Sequence, residues 1–377
     1  MRRRRLLTVG HSYVIGVNRR LAHELARVGG EHWDVQCIAP KRYRADLGWA
    51  EFERTADDGE LARAVRAYGT RSPHLFAYGA ELRTHLRNGW DIVYAWEEPY
   101  IVSGWQIARW TPRPTAFTFL TLQNIRKRYP PPFSWLEKQS LERSSGWLYC
   151  GHSIHAAQKD KPGYAERPSA YGPLGVDVEL FRPEPARGRA ALTELGWTES
   201  GPPVVGFIGR FVPEKGLAVL MGALDDQRAP WRALFLGGGP LEPALRAWAQ
   251  RYPDRVRIAS ASHDRVPGYV NAMDFLCAPS ESARNWKEQF GRMIVEAGAS
   301  GVPVIGSDSG EIPFVVGEGG IIAPEQQRSA WARAIESLLE DRDRRVELGA
   351  RALARARDTF SWPVVARRYL DFFETML

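Results

Sequence analysis

Short apolar runs rich in β-branched and aromatic residues alternate along this chain with amphipathic stretches, and the alternation occurs twice. In the first half the runs are LLTVG, DVQCIAP, DIVYAW, TAFTFLTL and GWLYCG. In the second half they are VVGFIG, ALFLGG, RVRIAS, DFLCAP, VPVIGS and GGIIAP. Runs of this length and composition read as buried strands. Between them lie patterns with helical spacing, such as NRRLAHELARV, LEPALRAWAQRY and SAWARAIESLLEDRDRRVELGARALARAR. Strand alternating with helix predicts parallel sheets covered on both faces. The pattern restarts after YGPLGVDVELFRPEPARGRAALTELGWTESGPPV, a Pro/Gly-rich stretch that reads as a connection between domains. The expected fold class is therefore α/β. Two Rossmann-like domains, 1–180 and from 181 onward, face each other across a cleft at the carboxyl ends of their strands.

Composition narrows the class further. A length of 377 residues suits two domains, and 44% hydrophobic with 25% charged residues is ordinary for a globular protein. No apolar run reaches the ~18 residues that would span a bilayer. The start, MRRRRLLTVGHSYVIGV, has a basic head like a signal peptide. Its apolar part is broken by Gly10, His11 and Ser12, so it reads as a first strand behind an arginine cluster. Cys37, Cys150 and Cys277 lie far apart, which suits buried thiols in a reducing cytosol, and no His, Cys or acidic cluster has zinc-site spacing. Residues 1–180 hold 26 Lys and Arg against 19 Asp and Glu, whereas residues 181–377 hold 25 of each. This bias suits a half that faces an anionic membrane surface or an anionic acceptor, and equally an ordinary solubilising surface. No zinc-finger or RRM signature accompanies it, so nucleic acid is not an expected partner.

Three stretches carry chemistry. In VVGFIGRFVPEKG a strand ends at Gly209, where the backbone turns tightly and approaches a ligand, and Arg210 and Lys215 follow across a loop. Arg grips phosphate oxygens bidentately and Lys acts as a point charge, so the pair suits a diphosphate; the alternative is a solvated basic loop. ALFLGGGPLEPAL places three glycines between strand and helix, and serves a ligand or a plain loop equally well. The third stretch, EQFGRMIVE at 288–296, follows the strand DFLCAPS and a polar loop with Trp286. A helix is expected to begin near Gln289–Gly291, turning its free N–H groups toward the site, with the amides of Phe290 and Gly291 accessible. Eight residues of helix span about 12 Å, which would put Glu288 at the mouth and Glu296 two turns deeper. Carboxylates so placed would accept hydroxyls from a sugar and a ribose on either side of a diphosphate. The alternative is a surface helix charge and an N-terminal dipole partner.

Taken in order, GRFVPEKG, GGGP, PS and EQFGRMIVEAGASGVPVIGSDSGEIPFVVGEGG resemble the retaining family 4 glycosyltransferases of the GT-B fold, over most of residues 175–325. The resemblance implies that Arg210 and Lys215 hold the diphosphate of a UDP- or GDP-sugar donor. It implies that Glu288 contacts the donor hexose near its reacting carbon, that Glu296 holds the ribose, and that Phe290 and Gly291 add backbone contacts. FSWPVVARRYLDFFETML looks like the family's terminal helix, which crosses back onto the first domain, so 359–377 joins 1–180 and leaves 181–358 as the donor domain. The first half matches less closely. VGHSYVIGVNRRLAHEL is similar to the family's first strand, glycine loop and helix, with His11 and Gly16 on the loop. DIVYAWEEPY offers Glu97 to an acceptor. Where the family commonly has a histidine, after TAFTFLTL, this chain has Gln123-Asn124; Gln123 can bond a sugar hydroxyl but cannot relay a proton.

The implied activity is transfer of a hexosyl unit to a polysaccharide or lipid-linked glycan, with retention. The implied place is the cytoplasm, peripherally on the inner face of a membrane. No cofactor is expected. The cations at the diphosphate make a metal unnecessary, and the nearest D-x-D, at 341–343, lies in a charged helical run. Two other readings stay open: a non-catalytic glycan- or nucleotide-sugar-binding protein on the same scaffold, and a hydrolase or epimerase of nucleotide sugars.

Overall fold

The structure, a computed structural model, describes residues 2–45 and 48–377. The chain forms two compact units, one running to Pro173 and completed by Trp362–Leu377, the other spanning Leu174–Ser361. The second unit thus opens inside PLGVDVELF, somewhat before residue 181, and closes slightly after 358. In the first unit, β1 (Arg4–Val9), β2 (Trp33–Pro40), β3 (Ala62–Val65), β4 (Ile92–Ala95), β5 (Ala116–Thr121), β6 (Gly146–Tyr149) and β7 (Ser169–Tyr171) form one sheet. Their order is β7-β6-β5-β4-β1-β2-β3, and every pairing is parallel. In the second unit, β8 (Val204–Arg210), β9 (Arg232–Gly238), β10 (Val256–Ala259), β11 (Phe275–Ala278), β12 (Val304–Ser307) and β13 (Gly320–Ala323) are ordered β10-β9-β8-β11-β12-β13, again parallel throughout. All eleven runs read as strands fall on these two sheets.

The central strands β4, β5 and β11 are buried at every position, because helices cover both faces of each sheet. That is why they read as continuous apolar runs. The edge strands β3 (ARAV) and β7 (SAY) are short, little enriched in β-branched residues, and were not evident from the sequence. The long charged run read as one helical pattern is two helices, Arg328–Glu340 and Arg342–Arg355. Asp341 separates them in an extended conformation and its side chain accepts from the Arg344 amide at 2.8 Å.

The helix Trp362–Glu374 returns to the first unit and packs on Arg20–Gly29. Tyr369 donates its hydroxyl to the Gly172 carbonyl at 2.9 Å, and its ring meets Tyr94 edge-on. The N-terminal arginines are built into this unit and do not fray: Arg2 pairs with Asp91, Arg4 with Glu374, and Arg5 with Asp34 at 3.1 Å while lying over the Trp90 ring. Three of the first half's surplus charges are thereby engaged. Among the described residues Cys37, Cys150 and Cys277 form no disulfide, and all three are buried. Among the described residues no helix is long and apolar enough to cross a membrane.

One buried ion pair shapes the loop after β1. Arg19 and Asp58 are both fully buried and form a two-pronged bridge, Nε to Oδ1 and Nη2 to Oδ2, each 2.8 Å. Arg19 also donates to the carbonyls of Tyr13 at 2.7 Å and Glu53 at 2.6 Å, and lies over the Phe52 ring. Burial by itself would raise the Asp58 pKa, but the Arg19 fork and the Thr55 amide outweigh it and hold the carboxyl below its ordinary value.

Candidate active site

In a doubly wound sheet, ligands lie beyond the carboxyl ends of the strands where the order reverses. In the second unit that point lies between β8 and β11, and the two chemistry-bearing loops leave those two strands. At the end of β8, Gly209 has φ +152° and faces Gly237 of β9, where a Cβ would sit 1.9 Å from the Gly209 carbonyl oxygen. Only glycine permits two backbones this close. Arg210 ends the strand, and a turn at Pro213–Lys215 leads to Gly216 at φ +67°.

The turn is fastened to the segment after β11. The Glu281 amide donates to the Glu214 carbonyl at 2.9 Å, and Lys215 Nζ lies 5.3 Å from the centre of the Trp286 ring. Lys215 Nζ pairs with Glu288 Oε2, and Ser280 Oγ donates to the same oxygen at 2.9 Å. A third segment holds the Glu288 backbone: its carbonyl accepts from the Glu311 amide at 3.0 Å, and Gly310, at φ +56°, leaves room for it. The residues singled out as diphosphate cation and sugar carboxylate are therefore direct partners. Ser280, Trp286 and Gly310 complete the arrangement. They lie in quoted stretches but were not assigned a role, because only the folded chain brings Ser280 and Gly310 to Glu288 and Trp286 to Lys215.

The stretch EQFGRMIVE is not one helix. Gly291 adopts φ +81° as the residue before the helix Arg292–Ala299, so Glu288 lies in the preceding loop and only Glu296 on the helix. The expected two-turn helical separation of the acids is thus wrong, since a left-handed glycine interrupts the geometry. Phe290 is 3% exposed and its ring packs edge-on against Phe360, so its side chain belongs to the core. Glu296 is no surface charge. It is buried at 8% exposure, and among the described residues its carboxylate accepts no hydrogen bond. Burial raises its pKa to about 7 against the opposing pull of Arg292, one turn earlier.

That shift has a stability consequence. The folded form keeps its proton up to about pH 7, whereas the unfolded chain loses it near 4.5. The contribution is therefore fully present below pH 4.5 and is lost as pH rises through 7, a change of roughly 2–4 kcal/mol. Glu296→Gln should flatten this slope and stabilise the protein at pH 8 relative to pH 5 in urea unfolding. A wild-type minus variant difference that does not change with pH would refute the assignment.

In the first unit the order reverses between β1 and β4, and His11 and Glu97 follow those two strands. Predicted separately, they form a pair: His11 Nδ1 lies 2.7 Å from Glu97 Oε2, and the His11 amide donates to Oε1 at 2.7 Å. Tyr78 donates its hydroxyl to Oε1 at 2.9 Å. Burial lowers the His11 pKa, but Glu97 opposite and Glu98 beyond it raise it more, so the net direction is upward. Gly16 opens the turn Gly16–Arg19, where a Cβ would come 3.2 Å from the Thr55 methyl. Gln123 lies apart, just after β5; it donates from Nε2 to the Tyr100 hydroxyl at 3.0 Å, and its carbonyl accepts from Gln158 at 2.8 Å. Glu98, in the quoted stretch but passed over, accepts from the Leu122 amide at 2.6 Å and Thr121 Oγ1 at 2.9 Å. Burial lifts its pKa to about 7.

Two Rossmann-like units with parallel sheets, a terminal helix belonging to the first unit and this loop arrangement in the second define the GT-B class of α/β fold. Residues 202–341, all within the second unit, match the sequence model of the family described as Glycosyl transferases group 1. The chain is similar to a D-inositol 3-phosphate glycosyltransferase of Nocardia farcinica, with 34% identity over 220 residues that cover 54% of this chain and 47% of that one. It is also similar to a GDP-mannose-dependent alpha-(1-6)-phosphatidylinositol monomannoside mannosyltransferase of Mycobacterium tuberculosis, 34% identical over 212 residues, 54% of each chain. The matches span about half the length of these curated relatives. Among solved structures, a glycosyltransferase from Rickettsia africae superposes with a TM-score of 0.76 at 16% identity, covering 100% of this chain and 99% of that one. The Anabaena protein HepE, solved with UDP and glucose, gives 0.74 at 17% identity over 99% and 100%. At these identities the structures speak for the fold.

Proposed function

We propose that the protein is a retaining glycosyltransferase that moves a hexosyl unit from a UDP- or GDP-sugar to a hydroxyl of a glycan or lipid-linked acceptor. The observation that carries this reading is the junction of Lys215, Glu288 and Ser280 at the strand-order reversal of the second unit. The relatives' names, which include inositol phosphate and phosphatidylinositol mannoside acceptors, support a polyol hydroxyl as the nucleophile.

Arg210 and Lys215 meet the charge of the diphosphate, which grows as the bond from the anomeric carbon to the leaving phosphate oxygen breaks. The acceptor oxygen bonds to that carbon on the same face, and its proton passes to the departing phosphate oxygen. Glu288, oriented by Ser280 and Lys215, stabilises the positive charge on the sugar ring. Glu296, a buried carboxyl without a protein donor among the described residues, takes the ribose hydroxyls. The His11–Glu97 pair and Gln123 are assigned to the acceptor side, with no step routed through Gln123. Charge neutralisation by side chains makes the reaction independent of added metal in this reading, and the net positive charge of the first half supports a position against an anionic membrane face.

A calorimetric or thermal-shift titration with UDP, GDP and their sugars tests donor binding. A ligand at a hundred times its Kd stabilises by about 2.7 kcal/mol. The shift should appear for one base, persist with a chelator, and shrink in Glu296→Gln. Labelled donor with a membrane lipid extract then separates transfer from donor consumption without an acceptor, which would indicate a hydrolase or epimerase. Binding without turnover would indicate a non-catalytic protein.

A further inference from the structure

The positive charge of the first unit has a second concentration, away from the amino terminus. The last turns of the helices Val102–Trp110 and Phe133–Arg143 and the end of Ala80–Leu86 surround a cavity of about 470 Å³. Arg83, Arg87, Arg109, Arg113 and Arg143 line it together with the indole of Trp105. These helix ends lead into β4, β5 and β6, so the cavity lies at the amino edge of the sheet, opposite the edge that bears His11 and Glu97.

The arginines are not balanced by the protein. Among the described residues, Arg83, Arg87, Arg109 and Arg113 form no ion pair, in contrast to Arg2, Arg4 and Arg5. The single carboxylate of the lining, Glu142, accepts from Gln139 at 3.0 Å and lies 3.8 Å from Lys138. Helix C-termini attract cations, but each carries only about half a charge. Arg143 fills that capping role with Nη2, which donates to the carbonyls of Thr111 at 3.4 Å, Pro112 at 2.9 Å and Thr115 at 2.6 Å. Its Nε, and the Nε1 of Trp105, are buried with no hydrogen-bond acceptor. Four exposed, unneutralised guanidiniums around one cavity suit a multiply charged acceptor.

We infer that this cavity is a binding site for a phosphate-bearing ligand, separate from the donor and acceptor residues. Phosphate oxygens match the forked guanidinium geometry, and the volume accommodates a phosphorylated polyol or a lipid head group. Burial lowers the Arg143 pKa, and the neighbouring Arg113 lowers it further; a bound anion reverses the second effect.

The test uses the full chain with inorganic tripolyphosphate by calorimetry, and co-sedimentation with phosphatidylcholine vesicles with and without phosphatidic acid. Wild type should bind at least one anionic probe, and Arg109→Glu/Arg113→Glu should weaken that binding at least tenfold while the nucleotide thermal shift persists. Arg87→Glu, at an exposed position, provides the same readout should the double variant fold poorly. Arg333→Glu, exposed in the second unit, should bind as wild type does. Vesicle binding that the cavity variants lose assigns the ligand to a lipid head group; tripolyphosphate binding without vesicle binding assigns it to a soluble phosphate compound. No binding of either probe, equal binding by the cavity variants, or an equal loss in Arg333→Glu overturns the proposal.

Discussion

Lys215→Ala is expected to remove hexosyl transfer, lowering kcat/KM by a hundred- to a thousandfold or more. Removing one preorganised charge from a transition state typically has that effect, and Lys215 also holds Glu288 in place. Glu288→Ala should fail to a similar degree, while Glu288→Gln keeps an acceptor for Ser280 and isolates the effect of charge. The fold should survive, because the Glu281–Glu214 and Glu311–Glu288 backbone bonds still fasten these loops. Steady-state turnover and melting temperature measured together decide the matter. Undiminished turnover in either alanine variant would remove the assigned roles.

The second large effect concerns stability. Asp58→Ala leaves the Arg19 guanidinium fully buried without its carboxylate, and breaking a buried pair from one side typically costs about 3–5 kcal/mol. Urea unfolding of the first-unit transition should show that loss, together with disturbance of the His11 loop, because Arg19 holds the Tyr13 carbonyl. In wild type the low Asp58 pKa means that this stability is present above its unfolded value, near 3.8, and is lost as pH falls through the folded one. A loss under 1 kcal/mol would show that the pair shapes the loop without stabilising it.

How much of this was readable in advance depends on how local each feature is. Strand positions were legible because a doubly covered parallel strand imprints a continuous apolar run on its own residues. β3 and β7 were not, since an edge strand needs little burial and leaves little pattern. The Arg210–Lys215 loop was legible as two cations at a strand end, and Glu288 and Glu296 as carboxylates bracketing a short apolar stretch. The role of Gly291 was misjudged, because glycine in a predicted first turn is compatible with helix or with a left-handed stop, and the side chains of Ile294 and Glu288 pack around it only in the folded chain.

By itself, the order of residues determined two α/β halves, the strands within them and a set of polar side chains at strand ends, since periodicity and turn chemistry act over a few neighbours. Only the tertiary structure decided which of those side chains meet. Lys215 and Glu288 are 73 residues apart, and the order of β8 beside β11 makes them partners. His11 and Glu97 are 86 apart and are joined by the order of β1 beside β4. Strand order comes from long-range burial across the whole sheet, and no short window of sequence contains it.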